Sequence, residues 1–372
     1  LPTINGGEGR LQIRVTVENG VIVNVTLTST RPLNACSVLV GRRLGDAITL
    51  LPRLFSLCST AQAVAGLIAA ETALGFTPAP AQVAARRLLV AAEALDQTVW
   101  RILLDWPRCV GAVSVLDPLK QLRRVLASLR PLLFPDPAWN RIGGAELTPN
   151  HAELAAALDA IESGVNEAVL GDGQWVDRRS FDHWLRTATT PAAVTLRFVD
   201  DIKLSNFGRC AVMPLSEFDA NTIGETGALA RRWRHPLITA LRADYGNGLL
   251  TRLTARVIES SALIAELRNQ ALALSADSGI PLAETASRMG MGLGIVECAR
   301  GRLIHRLVVA EGRVCDYHVL APTEWNFHPQ GSLVCGLTGA PVPVGTTLHQ
   351  AIELLITALD PCVGFELAIE AR

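Results

Sequence analysis

Arg53-Leu54-Phe55-Ser56-Leu57-Cys58-Ser59-Thr60-Ala61-Gln62 is the stretch on which the fold turns. It sets one thiol directly ahead of small and apolar residues that run to Leu74 and stop at Gly75. Ser59 and Thr60 are residue types that cap a helix start, and a glycine just past the last apolar position is a common helix stop. The spacing predicts a helix through Ala63, Leu67 and Ala70 to Leu74. Leu54 to Ala70 is also the longest uncharged apolar stretch, but Ser56, Ser59, Thr60 and Gln62 interrupt it. A membrane-spanning helix needs about 20 predominantly apolar residues. A buried helix is expected here, and no membrane partner.

Upstream, Leu11, Ile13, Val15 and Val17 alternate with polar residues, Glu18-Asn19-Gly20 makes a turn, and Val21, Val23, Val25 and Leu27 return. That is a hairpin pattern. Downstream, Pro80 opens a second helix that carries Val83, Val90, Ala94 and Ile102 to near Trp106-Pro107. Segments 115–130, 150–170, 226–242 and 247–277 show helical apolar spacing, whereas 171–221 gives no clear pattern. Past Gly290, strand patterns at 302–310 and 313–320 flank a turn at Glu311-Gly312. Leu348, Ile352, Leu355 and Leu359 share one face of a last helix, which stops at Asp360-Pro361-Cys362. No repeat or linker interrupts the 372 residues. One α+β domain over 1–372 is expected, mainly helical with N- and C-terminal β hairpins.

Hydrophobic residues make up 49% of the chain and charged ones 19%, which argues against disorder. Lys plus Arg number 34 and Asp plus Glu 35, a net charge of −1. Nucleic-acid binders carry a strongly basic face, so no such partner is expected. The eight cysteines, at 36, 58, 109, 210, 298, 315, 335 and 362, have no close pairs, and no basic-then-apolar leader opens the sequence. A reduced, cytoplasmic protein is expected. Single motifs are weak. Gly290-Met291-Gly292-Leu293-Gly294 lacks the dinucleotide spacing and reads as a close-packed turn. His-Glu-x-x-His, Cys-x-x-Cys and Gly-x-Ser-x-Gly are all absent from the sequence, so zinc and ordinary hydrolase chemistry find no support.

Taken in chain order, five motifs carry more. They are Gly7-Glu8-Gly9-Arg10-Leu11, the Arg53–Gln62 stretch, Glu297-Cys298-Ala299-Arg300-Gly301, Tyr317 through Pro322-Thr323-Glu324-Trp325-Asn326, and Asp360-Pro361-Cys362-Val363-Gly364-Phe365. Together they resemble the large subunit of nickel–iron hydrogenases. That family has Glu-Gly-His-Leu at the hairpin, Arg-Ile-Cys-Gly-x-Cys-x-x-x-His ahead of a helix, Glu-x-Pro-Arg-Gly, Val-Pro-Thr-Thr-Trp-Asn, and Asp-Pro-Cys-x-x-Cys-x-x-His at the end. Gly41-Arg42, Asp46-Ala47 and Ala69-Ala70-Glu71 fit the same pattern. The resemblance implies the large-subunit fold across nearly the whole chain.

The departures define the expected site. In the family, cysteine pairs from the two ends hold nickel, and two of those thiolates bridge to an iron carrying CO and two cyanides. Phe55 and Phe365 stand at one position of each pair, while Cys58 and Cys362 keep the others. Gln62 and Ala368 replace histidines, and with four residues beyond Ala368 no cleavable tail is expected. Near Asn34–Cys36 no counterpart is found for the acidic residue that helps hold the family's buried divalent ion. Aromatic rings cannot replace soft thiolate ligands, so no nickel and no hydrogen turnover are expected. The resemblance implies Cys58 and Cys362 as ligands of an iron already carrying CO and cyanide, bound transiently. It makes Arg300 a donor to one cyanide and the Pro322-Thr323 loop a donor to the other. The position of Cys58 ahead of a helix predicts that the helix dipole favours its thiolate.

This pattern is similar to the HupK/HoxV-type hydrogenase accessory proteins. The similarity implies a non-catalytic scaffold that helps assemble the iron–CO–cyanide fragment before transfer to a hydrogenase large subunit. A HypC-type iron-carrier chaperone, the large subunit and other maturation proteins are the implied partners. A metal-free interaction scaffold and a degenerate redox or quinone-binding subunit are the alternatives. Several residues also have plain structural readings. Cys36, Cys109, Cys210, Cys298, Cys315 and Cys335 read as core thiols. Arg300 has a structural alternative, pairing with Glu297, and Glu8 reads as a hydrogen-bonding residue. His305 reads as a satisfied core histidine, and Trp325-Asn326 as a brace for the loop that holds Thr323.

Overall fold

The structure, a computed structural model, describes residues 9–30, 35–171, 173, 175, 177–215, 222–274 and 290–372. Gly7, Glu8 and Asn34 of the sequence motifs lie outside the described residues. The hairpin pattern forms β1 (Arg10–Glu18) and β2 (Val21–Ser29), joined by Asn19 and Gly20, both at positive φ. Leu11, Ile13 and Val15 point into the core. The second β region forms β3 (Gly290–Cys298), β4 (Gly301–Ala310) and β5 (Arg313–Leu320), an antiparallel sheet in that order. Both expected hairpins are present, and each gains a third strand. For the first sheet that strand is β6 (Gly364–Ala371), which lies parallel to β1 and pairs Leu11 with Phe365.

The helices are α1 (Leu44–Leu54), α2 (Ser59–Leu74), α3 (Pro80–Trp100), α4 (Trp106–Cys109), α5 (Leu116–Leu133), α6 (His151–Val165) and α7 (Arg178–Thr187). Then follow α8 (Pro191–Asp201), α9 (Ala228–Arg232), α10 (Pro236–Tyr245), α11 (Leu249–Ala273), α12 (Pro322–Asn326), α13 (Ser332–Leu337) and α14 (Leu348–Leu359). A π-helical turn, Arg101–Asp105, continues α3 into α4. The segment expected as one helix over 226–242 divides into α9 and α10 because Pro236 opens a new first turn. The apolar stretch from Leu54 to Ala70 is likewise not one helix. It ends α1 at Leu54 and restarts at Ser59, leaving 55–58 as the link that carries Cys58. Among the described residues no helix is long and apolar enough to cross a membrane.

The glycine run 290–294 corrects the sequence reading. It is not a turn but the first half of β3, laid directly on α2. A Cβ at Gly290, Gly292 or Gly294 would sit 2.0, 1.8 or 1.9 Å from the carbonyl oxygens of Ala73, Ala69 and Ala65. Two strand residues advance about 6.6 Å and four helix residues about 6 Å, so the two elements stay in step. Continued, that register carries the inward-facing Val296 and Cys298 toward the N-terminus of α2, where Cys58 lies. A buried bidentate pair between Arg86 of α3 and Glu71 of α2, both bonds 2.9 Å, fixes the neighbouring helix.

Candidate functional site

Cys58 is the N-cap residue of α2, and its side chain makes no capping bond. The amides that an N-cap side chain ordinarily accepts, those of Thr60 and Ala61, donate to the Glu93 carboxylate of α3 at 2.7 and 3.0 Å. This reverses the expectation that the helix start favours a Cys58 thiolate. Burial pushes the thiol far above its ordinary range, Cys298 and Glu93 push the same way, and Arg300 with the Gln62 amide only partly oppose them. Burial also raises the Cys298 thiol, to about 11, against a backbone hydrogen bond from Arg300 and the charges of Arg300 and Arg231. Burial raises the Glu93 carboxyl as well.

Arg300 occupies the turn between β3 and β4 and is 2% exposed. That turn is clamped by Thr226, whose Oγ1 accepts from the Arg302 amide at 2.8 Å, and Gly301 at φ 133° leaves no room for a Cβ beside Thr226. Asn326 of α12 accepts from the Thr226 amide at 2.9 Å and donates to the Thr226 and Leu359 carbonyls. The expected bracing role of Asn326 is thus met, extended to the end of α14. The alternative pairing of Arg300 with Glu297 is not seen, because Glu297 sits on the outward side of β3 with Arg231 and Arg302. Arg300 instead donates from Nη2 to Gln97 Oε1 at 3.0 Å and approaches Asp360 Oδ1 at 3.4 Å through Nε. Its Nη1 is buried and has no hydrogen-bond partner among the described residues.

Asp360 follows α14 at φ 54° and is 1% exposed. Arg101 and Arg256 each bind it at 2.8 Å, and together with Arg300 they hold its carboxyl well below the usual range despite burial. Two residues on, Cys362 is locked to Thr323, whose hydroxyl donates to Sγ and accepts from the Cys362 amide, both at 3.0 Å. The hydroxyl hydrogen that the resemblance directs at a cyanide is therefore engaged on the thiol. Pro322 opens α12 and is buried beside it. The structure thus gathers the expected residues as two clusters, Cys58 with Arg300 and Cys362 with Thr323, joined through the Arg300–Asp360 contact. Among the described residues, no group of three or more His, Cys, Asp or Glu is arranged to hold a metal ion.

Phe55 and Phe365 are half-buried against the core. His305 is fully buried and hydrogen-bonded at both ring nitrogens, as read from the sequence. Cys315 and Cys335 are exposed, contrary to the core reading, one on the outward side of edge strand β5 and the other on the short helix α13. Glu93, Gln97 and Asp360 were missed as site residues. Glu93 and Gln97 are four apart on α3, so they share a helix face, but only the packing of α3 on α2 shows what that face meets.

Comparison with known proteins defines the class first. The fold is that of a hydrogenase large subunit: the Ni-Fe-Se hydrogenase from D. vulgaris Hildenborough matches with a TM-score of 0.71 at 16% identity, covering 93% of this chain and 94% of that one. The family described as nickel-dependent hydrogenase matches residues 236–364. Hydrogenase expression/formation protein HupV of Azotobacter chroococcum is 34% identical, with 97% of this chain and 98% of that protein covered. HupK of Bradyrhizobium diazoefficiens is 31% identical over 96% of each, and HoxV of Cupriavidus necator 30% identical over 95% and 94%. The chain belongs to this HupK/HupV/HoxV family of hydrogenase expression/formation proteins. Membership supports a role in hydrogenase maturation.

Proposed function

We propose that this chain is a non-catalytic, cytoplasmic scaffold in nickel–iron hydrogenase maturation, holding an iron–CO–dicyanide fragment transiently between Cys58 and Cys362. The fragment is cargo, received from a HypC-type iron-carrier chaperone and passed to the hydrogenase large subunit. One observation carries the reading: the buried Nη1 of Arg300, without a hydrogen-bond partner among the described residues, on a guanidinium that acts electrostatically on the Cys58 thiol. A buried guanidinium hydrogen without an acceptor is costly, more so than a neutral one. A cargo with cyanide nitrogens as acceptors would engage Nη1. Phe55 and Phe365 at the other ligand positions offer nickel neither charge nor lone pairs.

Elemental analysis of the full chain, purified without oxygen from cells that make the iron–cyanide fragment, tests this. About one iron per chain without nickel is expected, with iron lost in Cys58→Ser and Cys362→Ser. Wild-type iron content in the double variant would overturn the ligand assignment. An iron-free chain that still co-purifies with a maturation partner would favour a metal-free scaffold.

A further inference from the structure

A buried polar assembly beside Cys58 is not needed to grip the cargo, and the role assigned to it rests on Cys58 being an iron ligand. Gln62 lies one turn into α2, its Nε2 3.5 Å from Cys58 Sγ and its Oε1 2.8 Å from His305 Nε2. His305 Nδ1 lies 2.8 Å from Tyr317 Oη. The three residues are 1%, 0% and 4% exposed, and Gly66 leaves the room for the Tyr317 hydroxyl, since a Cβ there would meet Oη at 3.0 Å.

Counting hydrogens fixes the direction of the chain. Tyr317 Oη has His305 Nδ1 at 2.8 Å and the Cys36 thiol as a further polar neighbour. A neutral ring nitrogen accepts far better than a thiol sulfur, so the phenol hydrogen goes to His305 Nδ1. With Nδ1 accepting, the ring proton sits on Nε2 and is donated to Gln62 Oε1. The amide NH2 then faces sulfur. Burial keeps the ring neutral, since its pKa falls to about 3, so it cannot donate from both nitrogens. The reverse chain, from a Cys58 S–H through the amide to His305 and on to the tyrosine oxygen, gives up the ring nitrogen as acceptor for the hydroxyl hydrogen and leaves it the weaker Cys36 thiol.

We propose that Tyr317, His305 and Gln62 are positioning residues that hold the Cys58 sulfur as a hydrogen-bond acceptor and weaken its donation to bound iron, so that the cargo can leave. A donor on a metal-bound thiolate draws charge from it, and outer-shell partners typically change metal affinity by about 10- to 100-fold. Nuclear magnetic resonance of the histidine ring nitrogens in the full-length chain gives the first test. The Nε2–H tautomer is expected for His305, with Tyr317→Phe releasing it to a mixture of tautomers. An Nδ1–H tautomer in the wild type would overturn the direction of the chain.

The second test uses the loaded protein. Gln62→Leu keeps the volume but removes the donor, so the CO band should move to lower wavenumber and iron loss to a chelator should slow about tenfold. Gln62→Met serves as the second variant should leucine disturb folding. Unmoved bands and unchanged release in a folded variant would overturn the tuning role. Absence of CO and cyanide bands from every variant would instead overturn the iron reading, and the tuning role with it, even with His305 in the expected tautomer.

Discussion

His305 shows how much a single buried group can reveal. An unfolded histidine takes up its proton near a pH of about 6.5, whereas burial lowers the folded value to about 3. Below 6.5 the unfolded chain therefore binds more protons, so stability is fully present above that pH and is lost as pH falls toward 3, by at most about 1.4 kcal/mol per pH unit. Urea midpoints taken at pH 7, 6 and 5 should show this slope, and His305→Gln should flatten it; an equal slope in the variant would assign the loss to other groups. Asp360 supplies a second case. Asp360→Asn leaves Arg256 and Arg300, both almost fully buried, without their shared acid. Breaking such a pair from one side typically costs about 3–5 kcal/mol, and a denaturation midpoint within error of the wild type would contradict the burial described here.

Among elements, β3 on α2 sets the geometry of the site through what its glycines lack. Gly292→Ala would drive a methyl group to 1.8 Å from the Ala69 carbonyl oxygen. Helix backbone cannot give way as a side-chain tip can, so a loss of about 1–3 kcal/mol is expected, the usual range for overpacking. Gly45→Ala, in open space on α1, should gain up to about 1 kcal/mol. Equal thermal shifts in the two variants would refute the close packing. The same elements show what a sequence reveals. The β1–β2 hairpin, α11 and α14 were legible because alternating or helical apolar spacing is local. The β3 start was not, because its inward positions are glycines and give no apolar alternation. Nor was β6, whose partner β1 lies at the other end of the chain.

At the scale of the whole molecule, the two ends of the chain meet in one sheet, and this places the site. β6 pairs along β1, with Arg10–Glu366 and Arg14–Glu370 ion pairs at its rim. Cys362 and Phe365 are thereby held beside the N-terminal hairpin. Deleting residues 364–372 should destabilise the chain and make Cys362 react faster with a thiol reagent, while unchanged reactivity would show that Thr323 alone secures it. The candidate thiols were legible from motifs at the two ends, but Glu93, Gln97 and the arginines around Asp360 become site residues only when distant helices pack together. Whether this assembled interior carries metal is answered most directly by infrared spectroscopy, because bound CO and cyanide absorb where proteins are otherwise silent. The full chain, purified anaerobically from cells making the iron–cyanide fragment, should show CO and cyanide bands that vanish in Cys58→Ala and Cys362→Ala. A blank spectrum from chain that still binds its maturation partner would contradict the iron-carrier account.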